Sequence, residues 1–103
     1  HKKMPTYNEH LKFIKSKPYT KWYIVKWGTQ KIASIYLTSQ NEIGIFIKNT
    51  HQNKNLGGVI ISQLIEKNPR ERYLANVSPK NKMSEKFFKS HGFKFIQKTY
   101  ELT

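Results

Sequence analysis

The run His51-Gln52-Asn53-Lys54-Asn55-Leu56-Gly57-Gly58 holds the residues of this chain best suited to chemistry. It sits between a β-forming stretch and an apolar, helix-forming stretch. A helix start presents free N–H groups and a partial positive charge. Small residues there let a phosphate approach the backbone, and Lys54 adds a mobile cation. Gly57 and Gly58 inside a helix cost about 1 kcal/mol each relative to alanine, so they need a reason. Close approach of a ligand is one; tight packing of the helix on a sheet is the other. These residues alone leave both open.

A general base can be sought by elimination. The chain has no aspartate, and its acids are Glu9, Glu42, Glu66, Glu71, Glu85 and Glu101. Glu9, Glu66 and Glu85 read as caps or solvated helix positions, Glu71 lies between two arginines, and Glu101 is near the end. Glu42 opens the strand that leads into the phosphate-suited run. Alternation puts Glu42, Gly44 and Phe46 on one strand face. Gly44 leaves space beside Glu42, and glycine within a strand often marks a bulge or a close ligand. The plainer alternative is an exposed acid at a strand edge. The four histidines, His1, His10, His51 and His91, are scattered, and cysteine is absent, so no metal site is expected.

The elements that must position these residues follow from pattern. Thr6 with Glu9 has capping-box spacing, and Tyr7, Leu11 and Ile14 share a helical face, so a helix is expected over 6–17, ended by Lys17-Pro18. Strands are expected over 22–27, 32–38 and 42–48, as a meander with turns at 28–31 and 39–41. A buried helix is expected over 56–67, stopped by Asn68-Pro69. Then come a strand over 73–78, a short helix over 81–91 with Gly92 at its end, and a last strand over 93–102. The fold class is α/β, a mixed α+β sheet that is mostly antiparallel. A strand–helix–strand crossover around Leu56 supplies one parallel pair, and helices flank the sheet.

The length of 103 residues fits one domain. The net charge of +13 attracts anions, whether nucleic acid, an acidic membrane surface or a polyphosphate cofactor. No apolar run approaches the ~20 residues a membrane helix needs, and no secretory leader is recognisable. The lack of cysteine excludes a thiol-linked acyl intermediate and suits a reducing cytosol, so a cytoplasmic location is expected.

Two segments carry a resemblance. Gln52-x-x-Asn55-x-Gly57 between strand and helix resembles the acyl-CoA signature of the GNAT superfamily of N-acyltransferases, Arg/Gln-x-x-Gly-x-Gly/Ala. Asn55 stands where glycine is usual, and asparagine tolerates positive φ well. Further on, Asn81-x-x-Ser84-x-x-Phe87-Phe88-x-x-x-Gly92-Phe93 resembles the superfamily's later motif, Asn-x-x-Ser/Ala-x-x-aromatic-x-x-x-x-Gly-Phe. The resemblance spans residues 6–102. The usual first strand and first helix have no clear match, which implies a single domain over 1–103 that is either shortened upstream or reduced in fold.

The resemblance implies a GNAT-like fold and direct transfer of an acetyl group from acetyl-CoA to an amine, without metal. It implies that acetyl-CoA meets Gln52, Asn53, Lys54, Asn55, Leu56, Gly57 and Gly58 through its diphosphate. Backbone groups of Phe46, Ile47 and Lys48 would pair with the pantetheine amides, and Asn81, Ser84 and Phe87 would line that arm. Glu42 stands where relatives often place a catalytic glutamate. The tyrosine that many relatives carry near Phe87-Phe88 to protonate the thiolate is absent. The acceptor is expected to be an amino sugar or another small amine, and the protein a monomer or homodimer with no membrane partner. Two other readings stay open: a basic nucleic-acid-binding module, and a member of the fold that binds CoA with weak or no turnover.

Overall fold

The computed structural model describes residues 10–17, 20–52 and 55–103. Among these, four strands form one antiparallel sheet in the order β1-β2-β3-β4: β1 (Leu11–Lys15), β2 (Trp22–Trp27), β3 (Gln30–Leu37) and β4 (Ile43–Ile47). A 3-10 turn, Asn49–His51, follows β4. Two helices come after it, α1 (Leu56–Lys67) and α2 (Lys82–Ser90).

Register fixes which side chains meet. Trp22 lies opposite Tyr36, and Tyr36 opposite Gly44; Ile24 lies opposite Ser34, and Ser34 opposite Phe46. These residues share one face, and Trp22, Tyr36 and Phe46 on it are exposed. The other face carries Tyr23, Val25, Ile35, Leu37 and Ile43, all buried with Leu56, Ile60 and Leu64 of α1 in one core. β-branched and leucine side chains dominate it, and each fully buried one contributes about 1.5–3 kcal/mol. A one-residue irregularity between Val25 and Lys26 lets Ile32 join the core as well. Asn68 is the buried polar residue, and its Nδ2 donates to the Leu64 carbonyl (3.2 Å) and to Tyr23 Oη (3.3 Å).

Three expectations are corrected. Residues 11–15 form an edge strand rather than part of a helix; the expected cap residues Thr6 and Glu9 lie outside the described residues. Leu11 and Phe13 also fit a period of two, and pairing of residues 11–14 with Trp27, Lys26, Val25 and Ile24 decides the matter. The expected parallel pair is not a ladder: a single parallel bridge joins Glu42 to Leu74, and the rest of 73–78 is not a strand. The last expected strand, 93–102, does not form. Phe93 packs edge-on to Phe88 at 5.1 Å. Beyond it Phe95, Ile96, Tyr100 and Leu102 are exposed, and no backbone hydrogen bond joins 94–103 to another described segment. A strand requires a neighbour with free ladder groups, and a single bridge at Leu74 supplies no adjoining ladder.

Candidate functional site

The site is built on the free side of β4. Thr38 N–H donates to the Glu42 carbonyl (2.9 Å) and Lys48 N–H donates to the Ile32 carbonyl (2.9 Å). Antiparallel alternation therefore turns the backbone groups of residues 42, 44, 46 and 48 toward β3, and those of 43, 45 and 47 outward. Ile43 N–H uses its outward position to reach the Leu74 carbonyl (2.7 Å), while Leu74 N–H reaches Asn41 O (2.7 Å). Past this rung the two segments part. The outward Ile47 carbonyl accepts from Gln52 Nε2 (2.9 Å). The N–H and C=O of Ile45 and the N–H of Ile47 remain directed into the gap.

That gap is a cleft of about 300 Å³. Its walls are β4, residues 76–78, and Asn81, Ser84 and Phe87 at the α2 end; Trp22, Tyr36 and Phe46 close it on the exposed sheet face. Of the backbone groups expected to line it, that of Ile47 points away from β3, whereas those of Phe46 and Lys48 point toward β3; Ile45 points away from β3 and lines the cleft. Asn81 is the N-cap of α2, its Oδ1 accepting from Ser84 N–H (3.0 Å), which is the local role its residue type favours.

The phosphate-suited run is described in part; Asn53 and Lys54 lie outside the described residues. Asn55 is the N-cap of α1 with φ +60° and ψ 18°, the left-handed conformation expected at the position where glycine is usual. The Asn55 side chain does not cap this helix start, and among the described residues no acid lies in its first turn to oppose the partial positive charge there. The side chain of Gln52 turns inward, to Ile47 O and to Asn49 Oδ1 (3.1 Å), and braces the end of β4 against the 3-10 turn.

Gly57 and Gly58 have a structural reason. A methyl group on Gly57 would overlap the Phe87 ring, and one on Gly58 would stand 2.6 Å from His91 Nε2. The two glycines admit α2 across the first turn of α1. Close packing is thus the answer to the glycine question, with a helix as the neighbour rather than the sheet. Phe88 is buried in the core and Phe87 packs beside it at 5.1 Å, edge-on.

Glu42 shares a strand face with Gly44 and Phe46, as alternation requires. Its carboxylate is held at both oxygens: Thr38 Oγ1 donates to Oε1 (3.2 Å) and Asn76 Nδ2 donates to Oε2 (2.9 Å). Its own N–H donates to Thr38 Oγ1 (3.0 Å). Arg70 secures the turn behind it, Nη1 donating to Thr38 O (2.6 Å) and Asn41 Oδ1 (3.0 Å). A half-buried carboxylate fixed at both oxygens, beside a cleft reached by residues 76–78, is suited to take a proton from a bound group.

Sequence reasoning missed Trp22, Tyr36, Thr38 and Asn76. Tyr36 is the important omission. Its ring crosses Gly44, it lines the cleft, and its hydroxyl has no hydrogen-bond partner among the described residues. Tyr73, by contrast, is consumed: its hydroxyl donates to Asn68 O (2.6 Å) and accepts from Arg70 N–H (2.8 Å). The space foreseen beside Gly44 is filled by Tyr36. One turn-register signal was available, since a turn centred on Gln40 places Tyr36 opposite Gly44.

Among the described residues no helix is long and apolar enough to cross a membrane. No curated protein and no solved structure matches the chain. The family model described as FR47-like protein matches residues 24–102. The match takes in β3, β4, both helices and every wall of the cleft except Trp22. The chain belongs to this family, which is GNAT-related.

Proposed function

We propose that this member of the FR47-like family is an N-acetyltransferase that moves an acetyl group from acetyl-CoA to a primary amine within a ternary complex. The observation that carries the reading is the cleft along the free edge of β4, walled by Asn81, Ser84 and Phe87 at the α2 end and by Asn76, which also holds the Glu42 carboxylate. The N–H groups of Leu56, Gly57 and Gly58, with Asn53, Lys54 and Asn55 before them, suit a diphosphate. Ile45 and Ile47 offer the backbone groups that an extended amide-bearing arm pairs with, as an added strand does. Asn81, Ser84 and Phe87 flank that arm, while Gln52 acts indirectly by fixing the Ile47 carbonyl.

The chemistry then needs a base, alignment and a proton for the leaving sulfur. Glu42 takes one proton from the acceptor ammonium and passes it to water. The freed nitrogen attacks the thioester carbonyl; a C–N bond forms, the C–S bond breaks, and the sulfur leaves with its electron pair. Tyr36 gives that sulfur a proton and regains one, through water, from the nitrogen as the amide forms. Alignment in such a site supplies up to roughly 7–11 kcal/mol of the barrier reduction.

Calorimetric titration with acetyl-CoA tests this, on the native chain and on Ser84→Phe, whose ring would fill the cleft from the exposed side of α2. The expected result is binding that weakens at least about tenfold in the variant, with CoA thiol released when a primary amine is added. A flat titration of well-folded native protein would remove the reading. The strongly basic alternative, a nucleic-acid module, would instead show single-strand binding with a steep salt slope and no response to acetyl-CoA.

A further inference from the structure

A second hollow, of about 400 Å³, lies against the cleft and shares the Trp22–Tyr36 wall with it. We propose that this hollow is the acceptor subsite. It takes a primary amine carried on a flat or ring-shaped body that also bears a negative group. The assignment rests on the acetyl-transfer reading for the amine's fate, and on the geometry below for its binding.

The hollow is formed where β2 begins and β3 ends. Leu37 N–H donates to Lys21 O (3.0 Å), which seats the strand-leading residues Thr20 and Lys21 beside Leu37 and Thr38. The Trp22 and Tyr36 rings stand 5.5 Å apart at 55° and remain 49% and 39% exposed. Large aromatic surface left half in water gains by being covered. A planar or ring-shaped body covers it, and an ammonium near the indole face adds a cation–π attraction.

Glu42 joins the two cavities. Thr38, which lines the hollow, donates to one carboxylate oxygen, and Asn76, which lines the cleft, donates to the other. An amine at the Thr38 end of the hollow therefore has its body on the rings, Glu42 beside its nitrogen, and the cleft past the shared wall. Among the described residues, Lys21 is the charged one lining the hollow, and no acid lines it. A carboxylate or phosphate on the far side of the body would face that ammonium.

The test uses three amines: 4-(aminomethyl)benzoate, benzylamine and butylamine. Calorimetry without acetyl-CoA is expected to rank their affinities in that order. Trp22→Leu keeps apolar volume but removes the indole face, and is expected to weaken the two aromatic amines about tenfold. It should weaken butylamine, which has no ring to lay on the indole, less than either aromatic amine. Lys21→Gln is expected to make benzylamine and the benzoate bind alike. Circular dichroism confirms that each variant is folded; if Trp22→Leu is not, Trp22→Phe, with its weaker ring face, is expected to give an intermediate loss. Equal affinity for butylamine and benzylamine in the native chain, or aromatic-amine affinity unchanged in a folded Trp22 variant, overturns the assignment. Should the amines bind in the expected order while acetyl-CoA does not bind, the subsite stands and the acetyl-transfer reading fails. Should acetyl-CoA bind and turn over while the amine order is lost, the reverse holds.

Discussion

The Tyr36 ring lies across Gly44 on the neighbouring strand, so that any β-carbon at Gly44 would overlap it. An aromatic side chain covering a cross-strand glycine protects the bare backbone and fixes its own ring. The arrangement holds a phenol at the cleft wall. Gly44→Ala is therefore expected to cost about 1–3 kcal/mol in chemical denaturation, because the ring must be displaced. In a Tyr36→Ala background the same change should cost less than about 1 kcal/mol, a coupling that a double-mutant cycle measures directly. Equal costs in both backgrounds would show that the ring is not the obstacle.

Gly57 offers a sharper contrast. If it served only a ligand, Gly57→Ala would stabilise the free helix by about 1 kcal/mol through propensity. Overlap with Phe87 reverses the sign: a loss of roughly 1–3 kcal/mol is expected. Phe87→Leu alongside it should recover much of that loss. A thermal melt that rises in the single variant would contradict the close packing of α2 on α1.

For Glu42→Gln, kcat/KM is expected to fall by about 10²–10⁴-fold, with acetyl-CoA affinity within twofold of native. Glutamine can still accept from one of Thr38 and Asn76, so the turn should persist. An unchanged kcat/KM across pH would exclude Glu42 as the base.

Arg70 acts at a distance through the turn it clasps. Removing it in Arg70→Ala leaves Thr38 O and Asn41 Oδ1 without their charged donor, and a stability loss of about 1.5–3 kcal/mol is expected. The kcat should fall more than acetyl-CoA affinity, since Thr38 orients Glu42 and the α1 start lies elsewhere. Equal losses in both would assign Arg70 to general stability alone.

Ionic strength gives a further measurement. A diphosphate seated at the start of α1, as proposed, would be held partly through charge, and exposed charge is screened over about 8–10 Å at physiological salt. Acetyl-CoA affinity is expected to fall between 50 and 500 mM salt, and more steeply than that of butylamine, which carries one charge. Salt-independent acetyl-CoA binding would place the diphosphate away from α1.

Much of this was legible in the residues. The meander of β2, β3 and β4 and both helices follow from period, turn residues and stops such as Asn68-Pro69. Glu42, Gly44 and Phe46 share a face because alternation leaves no choice. β1 was hidden because Leu11 and Ile14 satisfy a helical spacing and Leu11, Phe13 a strand spacing; only a partner strand separates the two. The fate of 93–102 was hidden for the same reason, since alternating apolar residues do not make a strand without a ladder beside them. The glycine pair was read correctly as costly, but its neighbour comes from α2, some thirty residues on. Trp22 and Tyr36 meet only through the register of the β2–β3 hairpin, and Tyr36 reaches Gly44 only through that of the next one.

The lone rung at Leu74 has a mechanical corollary. Beyond it, residues 75–78 stay beside β4 through side chains alone, by the Asn76 amide on Glu42 and by the packing of Ala75 and Val77 against the core. The width of the cleft there is thus set by how those side chains pack and not by a hydrogen-bonded ladder, so substitutions at Asn76 and Val77 act on it directly.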